Sequence, residues 1–428
     1  MNGKLTSLLL LLTLMISSCG KEAFINQPEA SLSETTPNNE VREDLVVSKD
    51  QASLLASEIY EAITKEGEPR TKDCMGDVIS SATAQKESGC SKVTSMHTIK
   101  QEGTPTLYII NFGTHEGYIV LSAYKNDGIG LLLFNSSGEI KLDQNDDNSP
   151  FSVWLSEQSN RIYKRITEDQ NMPSIRSAGM WDLFETPLKD GEEIDIVLHT
   201  TALDKVTTET ELRGTHKGSR NLRQVPPYST IEDCLWGQGA GYNADAKIPN
   251  ALAGCPAVAI GLYCRTKHIP AKYDYANMPN TLSTSSSNAI SRMFRDIAGN
   301  IPNYQWGVNG SGARSADILI GLKKIGFNQA KLSSYDFNIA YKQIENNYPV
   351  LLAAFSNQSG HIWIADGYWE QKWTITRKFL WWKVKSWTEY SDMLYMNWGW
   401  NGTGNGWVDQ ESWRDYYMDR NIYYDLKQ

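Results

Sequence analysis

The chain has 428 residues, more than one compact core usually holds, so two domains are the default expectation. With 40% hydrophobic and 21% charged residues, wholesale disorder is excluded. A formal net charge of −9 with no basic stripe gives nucleic acid nothing to bind.

The first element in chain order is an export signal. Lys4 is followed by a short apolar run from Leu8 to Ile16, broken only by Thr13. The run is too short to cross a bilayer core of ~30 Å as a helix. A charged start, a short apolar stretch and small residues form the secretory pattern. Ile16-Ser17-Ser18-Cys19 has the look of a bacterial lipobox, with Cys19 as the lipidated residue. The chain beyond Cys19 is therefore expected outside the cytoplasm, at the cell surface or in the periplasm. Residues 20–45 are polar and rich in Pro, Asn, Ser, Thr and Glu, the composition of a flexible tether.

Residues 46–223 read as one α+β unit. Ser48–Ile63 has helical spacing, with Ser48 as N-cap and apolar residues at Ala52, Leu55, Ile59 and Ile63. The period then shortens. Leu107–Phe112, Gly117–Ser122 and Gly130–Phe134 read as three strands separated by turn residues. Phe151–Ile166 returns to helical spacing. No catalytic cluster is present here, and His97 and His115 stand without obvious partners. Such a unit is either a binding module or a propeptide that folds first. Between 205 and 227, Arg213, His216, Lys217, Arg220 and Arg223 lie among small polar residues with no periodicity. An exposed polar linker of this kind invites proteolytic nicking.

The second half, 224–428, holds most of the 14 Trp and 21 Tyr. In Ala253-Gly254-Cys255-Pro256-Ala257-Val258, a tight Gly precedes the Cys and Pro256 suits the first turn of a helix. Cys255 then stands at the helix start, where free N–H groups and the dipole favour a thiolate. Pro349–Phe355 reads as a strand, followed by a turn and a second strand that opens on Gly360-His361. A histidine there is fixed by backbone and reachable from a cleft. In Asn397-Trp398-Gly399-Trp400, the Asn amide can orient an imidazole and the Trp can cover it. In Trp236-Gly237-Gln238-Gly239, Gln238 can donate to an oxyanion beside the Cys255 N–H. The order Gln, Cys, His, Asn is that of papain-like enzymes. Six cysteines, with Cys19 lipidated, leave an odd five. The simplest partition pairs Cys74 with Cys90 and Cys234 with Cys264 and leaves Cys255 free, although other pairings and full reduction stay open.

These motifs resemble the streptopain family of papain-fold cysteine peptidases, over roughly Leu45 to Trp407. The resemblance implies an α+β fold, with a papain-like catalytic domain preceded by an α+β prodomain carrying a small antiparallel sheet. It implies a secreted zymogen that acts on protein or peptide substrates, is inhibited by its own prodomain, and needs no metal or organic cofactor. Cys255 is then the nucleophile, His361 the base, Asn397 its orienting partner with Trp398 as shield, and Gln238 the oxyanion donor. A nucleic-acid partner is not expected, and the membrane is expected only through the lipid anchor. Two departures stand out: the Pro256-Ala257-Val258-Ala259 run after the Cys, and a long insert at 369–394 with Trp373, Trp381, Trp382 and Trp387. Rival readings are transpeptidation or peptidoglycan amide cleavage by the same dyad, and a non-catalytic surface lipoprotein that binds ligands through its aromatic half.

Overall fold

The computed structural model describes residues 41–66, 93–142, 149–168, 178–185, 191–199, 210–213, 216–219, 224–225, 227–355, 360–410, 412–413 and 419–428. Cys19, the tether to residue 40, and Cys74 and Cys90 lie outside them. Eight α-helices are described: α1 Lys49–Glu66, α2 Pro150–Glu168, α3 Ala178–Glu185, α4 Ser229–Glu232, α5 Cys255–Lys267, α6 Ala289–Asn300, α7 Ser315–Ile325 and α8 Phe337–Glu345. The first half contributes strands β1 Val93–Gln101, β2 Thr104–Phe112, β3 Gly117–Ser122, β4 Leu131–Asn135, β5 Glu192–His199, β6 Thr210–Arg213 and β7 His216–Ser219. The second half contributes β8 Gln224–Val225, β9 Lys331–Ser334, β10 Val350–Phe355, β11 Gly360–Phe379, β12 Trp382–Asn397, β13 Gly406–Asp409 and β14 Asp419–Tyr424.

Local chemistry explains most of these bounds. Ser48 Oγ accepts from the Gln51 N–H at 3.2 Å and Gln51 Oε1 accepts from the Ser48 N–H at 3.0 Å, a reciprocal cap that starts α1. Ala52, Leu55, Ile59 and Ile63 lie on its buried face. Every residue of α5 from Cys255 to Cys264 is buried, which accounts for its lack of a polar face. The expected strands and the Phe151–Ile166 helix are present, with β1 added as an edge strand. The linker expected without periodicity contains a small β6–β7 ladder, and β8 pairs with Tyr368 and Trp369 of β11.

The two halves are welded rather than merely tethered. One 12-stranded sheet runs β1-β2-β3-β4-β13-β12-β11-β10-β14-β9, and β5 and β8 also pair with β11. β4 of the first half joins β13 of the second through Phe134↔Trp407 and Leu133↔Val408. β5 runs along the outer part of β11 from Lys372↔His199 to Phe379↔Glu192. Two cores are shared. One packs Tyr118, Phe151 and Trp154 with Trp363, Trp398 and Trp413. The other packs Tyr60, Phe112 and Trp181 with Trp369, Trp373 and Trp407. A third core belongs to the second half alone and surrounds α5. The 369–394 insert is the long β11–β12 hairpin. No described helix is long and apolar enough to cross a membrane.

Burying one large apolar side chain stabilises by roughly 1.5–3 kcal/mol. Phe134, Phe151, Trp154 and Leu198 all contribute across the boundary. Cutting the chain between Arg213 and Arg223 removes only the tether, so the two fragments stay together. They co-elute in gel filtration under native conditions and separate in denaturant. A second-half fragment that elutes alone directly after the cut contradicts the shared-core account.

Candidate active site

Cys255 opens α5 and is 6% exposed. The residue before it has to be glycine. Gly254 takes φ +90°, and a Cβ there would lie 2.1 Å from Tyr304 Oη and 2.6 Å from the Ser311 carbonyl oxygen. Tyr304 Oη donates to the Ala253 carbonyl at 2.5 Å, which ties down the approach to the helix. Burial, and next the charge of Cys255, hold the Tyr304 phenol well above its ordinary pKa, so it stays a neutral donor.

His361 is the second residue of β11, opposite Ala354 of β10. Its ring is buried and lies parallel to Trp363 at 5.9 Å, with Trp398 at 6.5 Å on a tilt of 27°. His361 Nε2 is 2.7 Å from the carbonyl oxygen of Trp398. A carbonyl only accepts, so Nε2 carries a proton and the lone pair of the neutral ring sits on Nδ1. Nδ1 is buried and has no hydrogen-bond partner among the described residues, Cys255 included. The Trp398–Gly399 turn brings this base to the first turn of α5. A Cβ on Gly399, at φ +67°, would lie 2.8 Å from Val258 Cγ1, three residues after Cys255.

Asn397 is not the group that holds the imidazole, contrary to the sequence expectation. Its Nδ2 donates to the carbonyls of Ile231 and Cys234, both at 2.8 Å, and its Oδ1 accepts from the Gly399 N–H at 2.9 Å. The amide is fully engaged in bracing the turn, and the next peptide carbonyl holds the ring instead. Trp398 is braced in turn: its N–H donates to Asn405 Oδ1 at 3.0 Å and its indole N–H to the Gly404 carbonyl at 2.8 Å. The Asn405 carbonyl accepts from Tyr118 Oη at 2.5 Å and Asn135 Nδ2 at 2.7 Å, both in the first half. Sequence reasoning missed Asn405, Tyr118 and Asn135; nothing in their local sequence separates them from other polar turn and strand residues.

Gln238 lies beside the nucleophile loop, with its carbonyl accepting from the Ala253 N–H at 2.8 Å. The side chain is 3% exposed, and Nε2 is buried without a hydrogen-bond partner. An amide donor left unpaired in a buried site costs stability unless a ligand completes it. The loop is anchored by Asn401, whose N–H donates to the Trp236 carbonyl at 3.0 Å.

The expected Cys234–Cys264 disulfide is not formed. None of Cys234, Cys255 and Cys264 is in a disulfide. Cys234 and Cys264 are fully buried in the core around α5, and behave as small apolar residues. Burial pushes the Cys234 thiol up to about 12 and the Cys264 thiol well above its usual range, so neither competes as a nucleophile. Counting by parity assumed oxidised thiols, and burial removes that need. His115 is exposed with Nδ1 3.6 Å from Glu139, and His268 caps the C-terminus of α5, so neither reaches the site.

The fold is of the papain-like class, with an α+β first half ahead of it. Residues 236–408 match the model of the Peptidase C10 family, the streptopain family of the sequence resemblance. The fragment of prointerpain A from Prevotella intermedia shares the fold, with a TM-score of 0.50 and 18% identity over 78% of this chain and 99% of that one. Active interpain A aligns at 20% identity over 48% of this chain and 96% of its own, with a TM-score of 0.37. The thiol protease/hemagglutinin PrtT of Porphyromonas gingivalis is 24% identical over 40% of this chain. This chain spans only 22% of the length of that relative.

Asn397→Ala leaves the buried Cys234 carbonyl and the buried Gly399 N–H unpaired and takes one donor from the Ile231 carbonyl, which keeps its backbone bonds. Each such group costs about 1–3 kcal/mol, so a loss on the order of 3 kcal/mol is expected in urea unfolding. A change within about 0.5 kcal/mol, the range of ordinary surface substitutions, contradicts the bracing role.

Proposed function

We propose that this chain is the precursor of an exported cysteine endopeptidase, with residues 46–223 as propeptide and 224–428 as the peptidase. The observation that carries the reading is the His361 ring. Nε2 is pinned to the Trp398 carbonyl, and Nδ1 is left as a buried, unpaired acceptor on a strand packed against the helix that opens at Cys255. A base with a fixed tautomer is what a thiol nucleophile needs for acyl transfer.

In the proposed reaction His361 Nδ1 takes the Cys255 thiol proton and the thiolate attacks the peptide carbonyl carbon. The oxyanion that forms is met by Gln238 Nε2. Collapse breaks the C–N bond, and the imidazolium returns its proton to the leaving amine. Water then cleaves the thioester with the same base. The dyad is not hydrogen-bonded in the precursor, and it is in the activated enzyme with substrate that this contact closes.

Export follows from the leader, and Cys19 is the proposed lipidation site. Cleavage between Arg213 and Arg223 leaves the lipid on the propeptide. Because the halves share a sheet, release of the mature enzyme then needs strand separation or digestion of the propeptide as well as the cut.

Cys255→Ala abolishes casein hydrolysis, with a drop of ~10⁴ or more and no change in folding. His361→Ala does the same, while Gln238→Ala keeps measurable turnover lowered by about 10²–10³. Normal turnover in the Cys255 variant overturns the peptidase reading, and a Gln238 variant as inactive as Cys255→Ala overturns its role as one donor among several.

A further inference from the structure

The β11–β12 hairpin ends in a patch that neither the fold nor the proposed site uses. Residues 379–385, Phe-Leu-Trp-Trp-Lys-Val-Lys, are all exposed. Trp381 is 79% exposed and Trp382 65%, and no other tryptophan of the chain is exposed to that degree. Water-facing tryptophans side by side do not arise from packing needs.

The tip is rigid. Cross-strand pairing continues to Phe379↔Trp382, so Leu380 and Trp381 form a two-residue turn. β5 supports it from the side, with the Leu380 N–H donating to the Gly191 carbonyl at 2.8 Å. Leu380 takes φ +54°. Turns of this length favour Asn or Gly at such a position, so a bulky apolar residue is held there against local preference. The charges are also arranged against local preference. Lys378 faces Lys383 and Arg377 faces Lys385 across the ladder, and like charges directly opposite are destabilising. Between residues 371 and 388 there are five basic residues and no acidic one, in a chain of net charge −9. On β5, Glu192 pairs with Arg377 at 2.5 Å and Asp195 pairs with Lys378. Counted with those two carboxylates and Glu193, the five cations leave a local net charge of +2, and Lys383 and Lys385 are both exposed. Local rules broken together at an exposed tip mark a functional surface.

We propose that this tip is a docking surface for an anionic lipid bilayer. The aromatic and aliphatic side chains of residues 379–384 enter the headgroup boundary, where tryptophan is favoured, and Lys383 and Lys385 meet the lipid phosphates. The contact is separate from the Cys19 anchor. It lies on β11 and β12 of the second half and is braced by β5 of the first, so it acts in the chain whose two halves are still joined through the sheet.

The test is tryptophan quenching by brominated acyl chains, with the full chain added to vesicles of phosphatidylcholine alone or mixed with phosphatidylglycerol. The leader contains no tryptophan, since the first is Trp154, so binding through the leader gives no signal. The expected result is quenching on the mixed vesicles that weakens with salt and is lost in the Trp381→Phe/Trp382→Phe variant, which keeps an apolar tip. Lys383→Glu/Lys385→Glu should shift the quenching curve to higher lipid concentration. Absence of quenching on mixed vesicles overturns the proposal and leaves the tip to a protein partner. Equal quenching on both vesicle types overturns the choice of anionic lipid, and unchanged quenching in the double Phe variant overturns the assignment to the tip.

Discussion

The carbonyl of Trp398 can only accept a hydrogen bond, and at 2.7 Å it fixes which nitrogen of His361 carries the proton. Everything else in the site follows from keeping that carbonyl in place. Asn397 binds the turn to α4 and its following loop, Asn405 takes the Trp398 N–H, and Gly399 allows the turn to lie against α5. The Trp363 and Trp398 rings flank the imidazole, with Trp413 packed on Trp363 behind them, which lowers the local dielectric and strengthens the bond they cover.

The same turn is where the two halves of the chain meet. Asn405 receives hydrogen bonds from Tyr118 and Asn135, and β13, which begins at Gly406, pairs with β4. The first half therefore takes part in shaping the support of the base. Tyr118 is buried, and burial pushes its phenol far above the usual range, so this donor is constant across physiological pH. The support of the base therefore extends across the shared sheet into β4.

Local signals were legible in the sequence and long-range ones were not. Ser48 with Gln51, the apolar strands from Leu107 to Phe134, and Gly254-Cys255-Pro256 each carry their structure in adjacent residues, and each forms as expected. β1 escaped notice because its side chains are mostly half-buried and give no clean alternation. β5 has a partner strand some 170 residues away, so its ladder leaves no mark in its own neighbourhood. Asn397 stands out in the sequence and the Trp398 carbonyl does not, because a side-chain amide is visible in a sequence whereas every residue has a backbone carbonyl. The disulfide expectation failed for a related reason, since burial of Cys234 and Cys264 depends on packing that spacing does not encode.

The tautomer of His361 can be read directly from its ring nitrogens. With only six histidines, ¹⁵N labelling of imidazoles in the full-length Cys255→Ala chain gives a tractable spectrum, and His361→Gln identifies the signal of interest. At a pH where the ring is neutral, the account predicts a protonated Nε2 and an unprotonated Nδ1. A proton on Nδ1, or rapid exchange between the two forms, would mean that the Trp398 carbonyl does not hold the base and would contradict the account at its root.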